Sequence, residues 1–220
     1  MSAERATVVF DLDGTLVDTS QDLLAAANAV LAGPVLGTAD RLTAFHGGRA
    51  MLRLGFTRLG RVWSEADIDA GYPLLLEAYK GAIAVHSQLY PGAMAAVEAL
   101  KQAGFAVAIC TNKPADLAED LLQSLGVRAA FGALVGADTL PVRKPDPAPY
   151  RAAVTRAGGV VARSMLVGDT ETDALTGVAA GVPVALVTFG PEGAGVARFS
   201  PAALLERFED LPGLAARLLR

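Results

Sequence analysis

The stretch "VVFDLDGTLVDTS", residues 8–20, runs from apolar residues directly into two carboxylates that are one residue apart. Side chains two apart on an extended segment point to the same side, so Asp11 and Asp13 can face one site. Gly14 then permits a sharp turn. Because adjacent carboxylates repel, one of them should hold a proton or share a cation. By itself the stretch is consistent with an acidic turn after a strand or with an active site in which the two aspartates have different roles.

The composition predicts a globular protein with a well-buried core. The chain has 220 residues, of which 52% are hydrophobic, enough for one domain or for a core domain with a smaller insertion. A net charge of -4 and a pI near 5.2 disfavour a nucleic-acid scaffold. The single cysteine, Cys110, excludes an internal disulfide framework and a cysteine-rich zinc site.

The sequence predicts a cytoplasmic protein that has no membrane association. No long apolar segment precedes the first predicted strand, which argues against a signal peptide. No apolar run reaches the roughly 18 uninterrupted residues of a membrane span. The low cysteine content also fits a reducing compartment.

Short apolar runs that alternate with helical patterns predict a doubly wound α/β fold. The runs lack polar alternation, as strands buried on both faces of a parallel sheet do. Helical patterns separate the later runs, with prolines near helix starts and glycines at helix ends. This alternation indicates a mainly parallel, Rossmann-like sheet, with a Gly-rich loop after its last strand. The predicted strands are residues 6–10, 106–110, 133–137, 164–168 and 182–189.

The segment between the first two of these strands has a different character. Residues 18–87 contain helical patterns and loops but no clear strand, and Pro73 should break or kink the last helix. We therefore expect a helical domain, 18–87, inserted into a core domain made of residues 1–17 and 88–220. It should lie over the carboxyl ends of the strands, where open α/β sheets bind ligands.

A second acidic cluster, "GDTETD", follows the fourth predicted strand. Asp169 and Asp173 are four residues apart and so share one helix face. Asp169 also stands at the expected N-cap, so helix capping is the alternative to a functional interpretation of this cluster. Carboxylate oxygens from two strand ends would, however, suit Mg²⁺.

Two further polar groups follow the strands in between. Thr111 ends the second predicted strand just before a helix, where a hydroxyl and free backbone N–H groups can hold phosphate. Lys144 lies in a proline-stiffened loop after the third strand, where an ammonium could neutralise both phosphate and a nucleophilic aspartate. Each signal is weak alone, because threonines often cap helices and lysines are common on surfaces. Together with the two acidic clusters, they predict a phosphoryl-transfer site at one edge of the sheet.

In this combination the sequence resembles the haloacid dehalogenase (HAD) superfamily of phosphohydrolases. "DLDGT" is similar to the first motif of that superfamily, Thr111 to the second, Lys144 to the third and "GDTETD" to the fourth, in the right order over nearly the whole chain. The helical block resembles the C1-type cap, and residues 17–31 are similar to the start of that cap in phosphoglycolate phosphatases. The resemblance implies a HAD-like core, a helical cap and hydrolysis of a small phosphorylated metabolite.

The resemblance also implies catalytic roles. Asp11 would attack phosphorus and form an aspartyl-phosphate. Asp13 would protonate the leaving oxygen and then activate water for the second step. Thr111 and Lys144 would hold the phosphoryl group, helped by the backbone amide of Asn112.

The cofactor that the resemblance implies is Mg²⁺. Its expected ligands are Asp11, the backbone carbonyl of Asp13, and Asp169. Asp173 would bind the ion through water or would orient Lys144.

The predicted cap carries the residues that should set specificity. "AFHGGRAMLRLGF", residues 44–56, resembles the cap loop that enters the site in related enzymes. Gly48 and Arg49 would then contact the substrate, with Arg49 binding a carboxylate or a distal phosphate. The alternative is that Arg49 belongs to a solvated helix face together with Arg53, Arg58 and Arg61.

2-Phosphoglycolate is the substrate that the cap resemblance favours, and other small phosphomonoesters stay open. A 2-haloacid dehalogenase would need neither Mg²⁺ nor an acid at Asp13. A β-phosphoglucomutase-like phosphoryl transferase should have a histidine and an arginine where "VDTSQD" stands. A phosphometabolite-binding regulatory protein should have lost one of the motif residues, and all are present. A monomer and a homodimer are equally compatible with the sequence.

Overall fold

The computed structural model of the chain describes residues 5–220, and these fall into two compact units. The core unit contains residues 5–17 and 89–220, and the helical unit contains Asp18–Gln88. Residues 1–4 of the predicted core segment lie outside the described residues. The chain therefore leaves the core unit after its first strand and returns to it before its second.

A six-stranded parallel sheet forms the centre of the core unit, in the strand order β5-β4-β1-β6-β7-β8. A separate two-stranded sheet pairs β2 with β3. In chain order the strands are β1 (Arg5–Phe10), β2 (Val17–Asp18), β3 (Gln88–Leu89), β4 (Ala106–Cys110), β5 (Ala133–Val135), β6 (Gly159–Gly168), β7 (Val184–Val187) and β8 (Ala203–Leu205).

Strand β1 lies in the middle of the sheet, which explains its apolar sequence. Val9 pairs with Ala108 of β4 on one side and with Leu166 of β6 on the other. Val8, Val9 and Phe10 are completely buried. The strand order is that of the Rossmann fold, in which ligands bind where the order reverses. Here that point lies between β1 and β6, and the predicted doubly wound α/β fold is confirmed.

Helices flank this sheet and make up most of the helical unit. In the helix α7, Pro147 occupies the first turn and the Asp146 carboxylate accepts the Ala148 N–H at 2.8 Å, so the sequence "DPA" starts the helix. None of the helices in the described part of the chain is long and apolar enough to span a membrane. The helices are α1 (Ser20–Leu31), α2 (Arg41–Phe45), α3 (Gly48–Arg58), α4 (Glu65–Gly81), α5 (Ala93–Gln102), α6 (Ala115–Ser124), α7 (Pro147–Arg156), α8 (Glu171–Ala180) and α9 (Leu211–Leu218).

The sheet extends further than the sequence predicts. Strand β6 begins at Gly159, five residues before the predicted start, and its first residues are partly exposed. Strand β8 was not predicted, because only one of its three residues is buried and it pairs with a single neighbour at the sheet edge. The predicted Gly-rich loop contains a 3-10 helix at Gly193–Phe199, and β8 follows it, so β7 is not the last strand.

In the helical unit, α1 packs against α3 and α4. The contact with α3 is close: a Cβ atom on Gly55 would lie 2.3 Å from Leu31 Cδ1. Helix α4 continues through Pro73, so the predicted break is wrong. The missing N–H of a proline costs about 3 kcal/mol in a helix interior. Burial of Ile68 and Leu75 on either side of the proline offsets that cost.

One buried carboxylate also ties the first helix of this unit to its last residues. Asp22 is 4% exposed and accepts the backbone N–H of His86 at 3.0 Å and that of Ser87 at 2.8 Å. The Ser87 hydroxyl donates to the same carboxylate at 2.6 Å. The end of the helical unit is therefore fixed by charge-assisted hydrogen bonds.

A buried hydrogen bond joins α7 to β6 in the core unit. Tyr150 is completely buried, and its hydroxyl lies 2.7 Å from Ser164 Oγ. Ser164 Oγ donates to the Val161 carbonyl at 2.8 Å, so the Tyr150 hydroxyl is the donor in the contact between them.

Removing both partners of this pair should cost less than the sum of the two single removals. We expect Tyr150→Phe to lower the free energy of unfolding by about 1 kcal/mol. Ser164→Ala should cost about 1–3 kcal/mol, because it leaves a buried phenol without an acceptor. The double variant should lose less than the sum of the two, as measured by urea denaturation. Strict additivity would show that the two hydroxyls do not interact.

Candidate active site

The predicted site residues of the core unit lie together at the carboxyl ends of β1, β4 and β6. Asp11 and Asp13 follow β1, Thr111 follows β4 and Asp169 follows β6. Lys144 reaches the same place from the loop before α7. These residues are brought together because parallel strands end at the same edge of the sheet.

Lys144 lies between two carboxylates. Its Nζ atom is 3.0 Å from Asp11 Oδ1 and 2.7 Å from Asp173 Oδ1, and its side chain is only 2% exposed. Burial by itself would lower the pKa of Lys144, but Asp11 and Asp173 outweigh that effect and raise the pKa above its ordinary value. Lys144 is therefore a permanent ammonium at neutral pH.

Asp11, which directly follows β1, contacts Lys144. Burial raises the pKa of Asp11 to about 7, the nearby Lys144 ammonium opposes this shift, and the Asp173 charge adds to it. The lysine therefore does not fully compensate the burial of Asp11. A further positive charge would favour the ionised, nucleophilic form of this side chain.

Asp13 contacts a second lysine, Lys113, which the sequence analysis missed. Lys113 Nζ lies 3.1 Å from Asp13 Oδ1 and 3.3 Å from Oδ2, and the lysine side chain is 4% exposed. Lysines are almost never buried unless they are paired. The available signal was its place two residues after Thr111, but a lysine in a loop before a helix usually faces solvent.

Asp169 has one oxygen engaged and one that is not. Thr15 Oγ1 donates to Oδ1 at 2.7 Å, whereas Oδ2 has no hydrogen-bond partner within residues 5–220. Burial raises the pKa of Asp169 well above its ordinary value, and the charges of Asp11 and Asp173 add to the shift. A Cβ atom on Gly14, which has φ +80°, would lie 2.3 Å from Oδ2, so the glycine leaves that oxygen its space.

Asp169 does not cap α8, so the prediction of an N-cap at this position is wrong. The N-cap is Thr170, whose hydroxyl donates to Asp173 Oδ2 at 2.8 Å. The same Asp173 oxygen accepts the backbone N–H groups of Asp169 and Thr170, each at 3.2 Å. Because Asp173 forms this capping box, the Asp169 side chain is left to face the site.

The close packing around Asp173 leaves no room for a side chain on β6 beside it. A Cβ atom on Gly168 would lie 2.3 Å from Asp173 Cγ. Asp173 is completely buried, with one oxygen on Lys144 and the other in the capping box. This geometry favours the second of its two expected roles, the orientation of Lys144.

The donor set fits a divalent cation such as Mg²⁺. Carboxylate oxygens of Asp11, Asp169 and Asp173 lie within 4.8 Å of one another. When all four carboxylates of the site are ionised, the two lysine ammonium groups balance half of their charge, and a divalent cation would balance the rest. All of these donors are oxygens, the ligand type that Mg²⁺ prefers. Asp169 Oδ2 supplies a buried acceptor that a cation would satisfy.

The loop after β4 supplies the remaining polar groups. Thr111 Oγ1 accepts the Lys113 backbone N–H at 3.1 Å, which leaves its hydroxyl proton available to donate. The Asn112 side chain donates from Nδ2 to the Lys144 carbonyl at 2.9 Å. Asn112 therefore ties the loop that carries Thr111 to the loop that carries Lys144.

Gly48 and Arg49 belong to the helical unit and begin α3. The stretch predicted as a cap loop is largely helical, with only His46 and Gly47 between α2 and α3. Sequence reasoning took its paired glycines for a loop, although only Gly47 has a positive φ. The Arg49 guanidinium contacts the Asp69 carboxylate and lies 4.8 Å from the centre of the Tyr72 ring.

Comparisons with known proteins agree on one family. Residues 6–181 match the model of the haloacid dehalogenase-like hydrolases. A phosphoglycolate phosphatase of Mesorhizobium japonicum is 39% identical, over 98% of this chain and 97% of its own. One of Caulobacter vibrioides is 38% identical, over 97% of this chain and 92% of its own.

Solved structures show the same fold. A crystal structure described as a "predicted phosphoglycolate phosphatase" of Haemophilus somnus is 25% identical, with a TM-score of 0.79 over 97% of this chain and 99% of that one. A HAD-superfamily hydrolase of Geobacter sulfurreducens is 20% identical, with a TM-score of 0.72 over 98% of this chain and 100% of that one. The second likeness concerns the fold alone.

The crowded carboxylates predict an unusual effect on stability. The pKa of Asp169 is higher in the folded than in the unfolded state, so its ionised form destabilises the metal-free fold once the pH exceeds the unfolded value. Asp169→Asn should therefore raise the melting temperature in EDTA at pH 7, by about 2–4 °C for each kcal/mol of relief.

The same variant should lose most of the rise in melting temperature that Mg²⁺ produces in the unmodified protein. Glu98→Gln is a matched control, because Glu98 is an exposed acid paired with Lys101 on α5. It should change neither melting temperature. A full Mg²⁺ response in Asp169→Asn would contradict the assignment of this side chain to the cation.

Proposed function

Because the chain belongs to the haloacid dehalogenase-like hydrolase family, we propose that this phosphatase hydrolyses 2-phosphoglycolate with Mg²⁺ through an aspartyl-phosphate. The activity as a phosphatase follows from the family and from relatives at 39% and 38% identity. The names of those relatives support the substrate. The covalent mechanism rests on the arrangement of the two aspartates.

The observation that carries the mechanism is that each aspartate has its own lysine. Asp11 contacts Lys144 and lies beside the acidic cluster of Asp169, whereas Asp13 contacts Lys113. Neighbouring carboxylates in different surroundings can perform different steps. Asp11 is the nucleophile, and Asp13 is the acid and base.

Asp11, Asp169 and the backbone carbonyl of Asp13 are the groups that would hold Mg²⁺, with Asp173 acting through its contact with Lys144. The cation, when bound, neutralises negative charge on the carboxylates and on the phosphoryl oxygens. The Lys144 ammonium and the Thr111 hydroxyl bind the phosphoryl oxygens. These contacts favour the ionised form of Asp11.

In the first step a carboxylate oxygen of Asp11 attacks phosphorus. A bond forms between that oxygen and phosphorus while the bond from phosphorus to the leaving oxygen breaks. Asp13 gives its proton to the leaving oxygen, so that glycolate departs as a hydroxy acid anion. Asp13 is left as a carboxylate.

In the second step water attacks the same phosphorus atom. Its proton passes to Asp13, and the bond between phosphorus and Asp11 breaks. The products are inorganic phosphate, the free Asp11 carboxylate and a protonated Asp13. The enzyme is thereby returned to its starting state.

We assign the helical unit, Asp18–Gln88, to the cap domain that selects the substrate. Gly48 and Arg49 are its candidate contacts, and Arg49 would exchange its ion pair with Asp69 for the carboxylate of the substrate. Both side chains of this ion pair are exposed, so breaking it has a low cost. The proposal also includes a cytoplasmic location and a free small molecule as the substrate. The net charge of -4 gives no support to a nucleic-acid partner.

Asp11→Asn should abolish hydrolysis of 2-phosphoglycolate, because an amide cannot act as the nucleophile. Turnover should fall by at least about 10³-fold while the circular dichroism spectrum stays near that of the unmodified protein. Phosphate release is the measurement. Full activity of Asp11→Asn would sink the covalent mechanism.

The same assay separates the proposed reaction from its closest rival. EDTA should stop phosphate release and added Mg²⁺ should restore it. A panel of phosphate esters compared by kcat/KM should rank 2-phosphoglycolate first. Chelator-resistant release of halide from 2-haloacids would favour a dehalogenase instead.

Arg49→Ala should affect substrates with a carboxylate more than those without. We expect KM for 2-phosphoglycolate to rise about tenfold, the loss of a contact worth roughly 1.4 kcal/mol, and KM for an aryl phosphate to stay constant. Arg53→Ala is the matched control, since Arg53 is an exposed arginine of the same helix that pairs with Glu65. Equal effects of Arg49→Ala on both esters would remove Arg49 from substrate recognition.

A further inference from the structure

The second lysine of the site, Lys113, has no role in the mechanism above. Its ammonium touches both oxygens of Asp13, at 3.1 and 3.3 Å, and its side chain is 4% exposed. Asp13 is more open, with 20% of its side chain exposed. A buried cation that contacts both oxygens of a partly open carboxylate restricts the rotation of that carboxylate.

The backbone of Lys113 is held on both sides. Its N–H donates to Thr111 Oγ1 at 3.1 Å, and its carbonyl accepts the Ala137 N–H at 2.9 Å. Two residues later the Ala115 N–H donates to Asp138 Oδ1 at 2.8 Å. These bonds fix the loop after β4 against the loop after β5.

A glycine allows this close approach of the two loops. A Cβ atom on Gly136 would lie 2.6 Å from the backbone N and Cα atoms of Ala115. The loop after β5 therefore presses directly on the start of α6, just beyond Lys113. The Lys113 side chain thus extends from a rigid backbone. A rigid backbone allows one side chain to hold another in place.

We propose that Lys113 is a positioning residue that holds the ionised carboxylate of Asp13 in the orientation needed for the second step. This inference rests on the proposed function. In that step water forms a bond to phosphorus, its proton moves to Asp13, and the bond from phosphorus to Asp11 breaks. Lys113 neither gains nor loses an atom; it keeps an Asp13 oxygen directed at the water.

The division of labour between the two lysines supports this role. Lys144 is already shared between Asp11 and Asp173, so it serves the nucleophile and the phosphoryl group. Lys113 contacts the acid and base instead. Loss of Lys113 should therefore slow dephosphorylation of the enzyme and leave the attack by Asp11 nearly unchanged.

An aryl phosphate such as 4-nitrophenyl phosphate separates the two steps, because its leaving group needs no proton. Rapid mixing with the Mg²⁺-loaded enzyme gives the rate of the first nitrophenolate release, and the later linear phase gives the steady-state rate. In Lys113→Met the first rate should stay within about threefold, and the steady-state rate should fall at least about tenfold. The result is a burst of about one nitrophenolate per active site.

The ratio of the two rates does not depend on how much of the variant is folded, since both scale with the number of working sites. Should Lys113→Met fail to fold, Lys113→Gln keeps an N–H donor without the charge and should show the same change of ratio. Lys101→Met, which removes a lysine exposed on α5 and paired with Glu98, is the control and should leave both rates unchanged.

Two results would overturn the inference while leaving the proposed function intact. One is that the two rates in Lys113→Met stay unchanged or fall by the same factor, so that their ratio stays constant and Lys113 has no specific role in the second step. The other is a loss confined to KM for esters with a carboxylate, which would assign Lys113 to substrate binding. If the unmodified protein has no Mg²⁺-dependent turnover, the proposed function fails, and the inference fails with it.

Discussion

The structure depends on the repulsion among four carboxylates at one edge of a buried sheet. Asp11, Asp13, Asp169 and Asp173 meet there, and two lysines supply only half of the balancing charge. Burial of unpaired charge is costly, and clusters of perturbed carboxylates are concentrated at functional sites. The excess negative charge would favour a divalent cation at this edge, and the proposed function places the phosphate ester beside that cation.

The fold produces this crowding through its topology and through small residues. Strands β1 and β6 are neighbours at the point where the strand order reverses, which sets Asp11 beside Asp169. Gly14 and Gly168 lack the side chains that would collide with Asp169 and Asp173. Each of the two aspartates after β1 then contacts a different lysine: Asp11 contacts Lys144, and Asp13 contacts Lys113. The two aspartates that follow the first strand therefore have different surroundings although only one residue separates them.

The sheet and the motif residues could be predicted because both depend on local sequence. An apolar run that stops at an aspartate shows where a buried strand ends, and parallel strands end at the same edge. Lys113 could not be predicted, because its contact with Asp13 spans a hundred residues and only the fold brings the two together. The cap of α8 was assigned one residue early, because aspartate is by sequence a better N-cap than the threonine that follows it.

The other misjudged elements depend on tertiary packing. Pro73 is tolerated because apolar neighbours bury the helix around it, and β8 forms because β7 offers it an edge. Neither the tolerated proline nor the edge strand can be predicted from the local propensities of the residues.

The stereochemical course at phosphorus tests the central claim, the covalent role of Asp11, most directly. A chiral, isotopically labelled thiophosphate ester would be hydrolysed in labelled water and the configuration of the product determined. Two successive in-line displacements, first by Asp11 and then by water, predict overall retention of configuration. Inversion would mean that water attacks the substrate directly and would contradict the account.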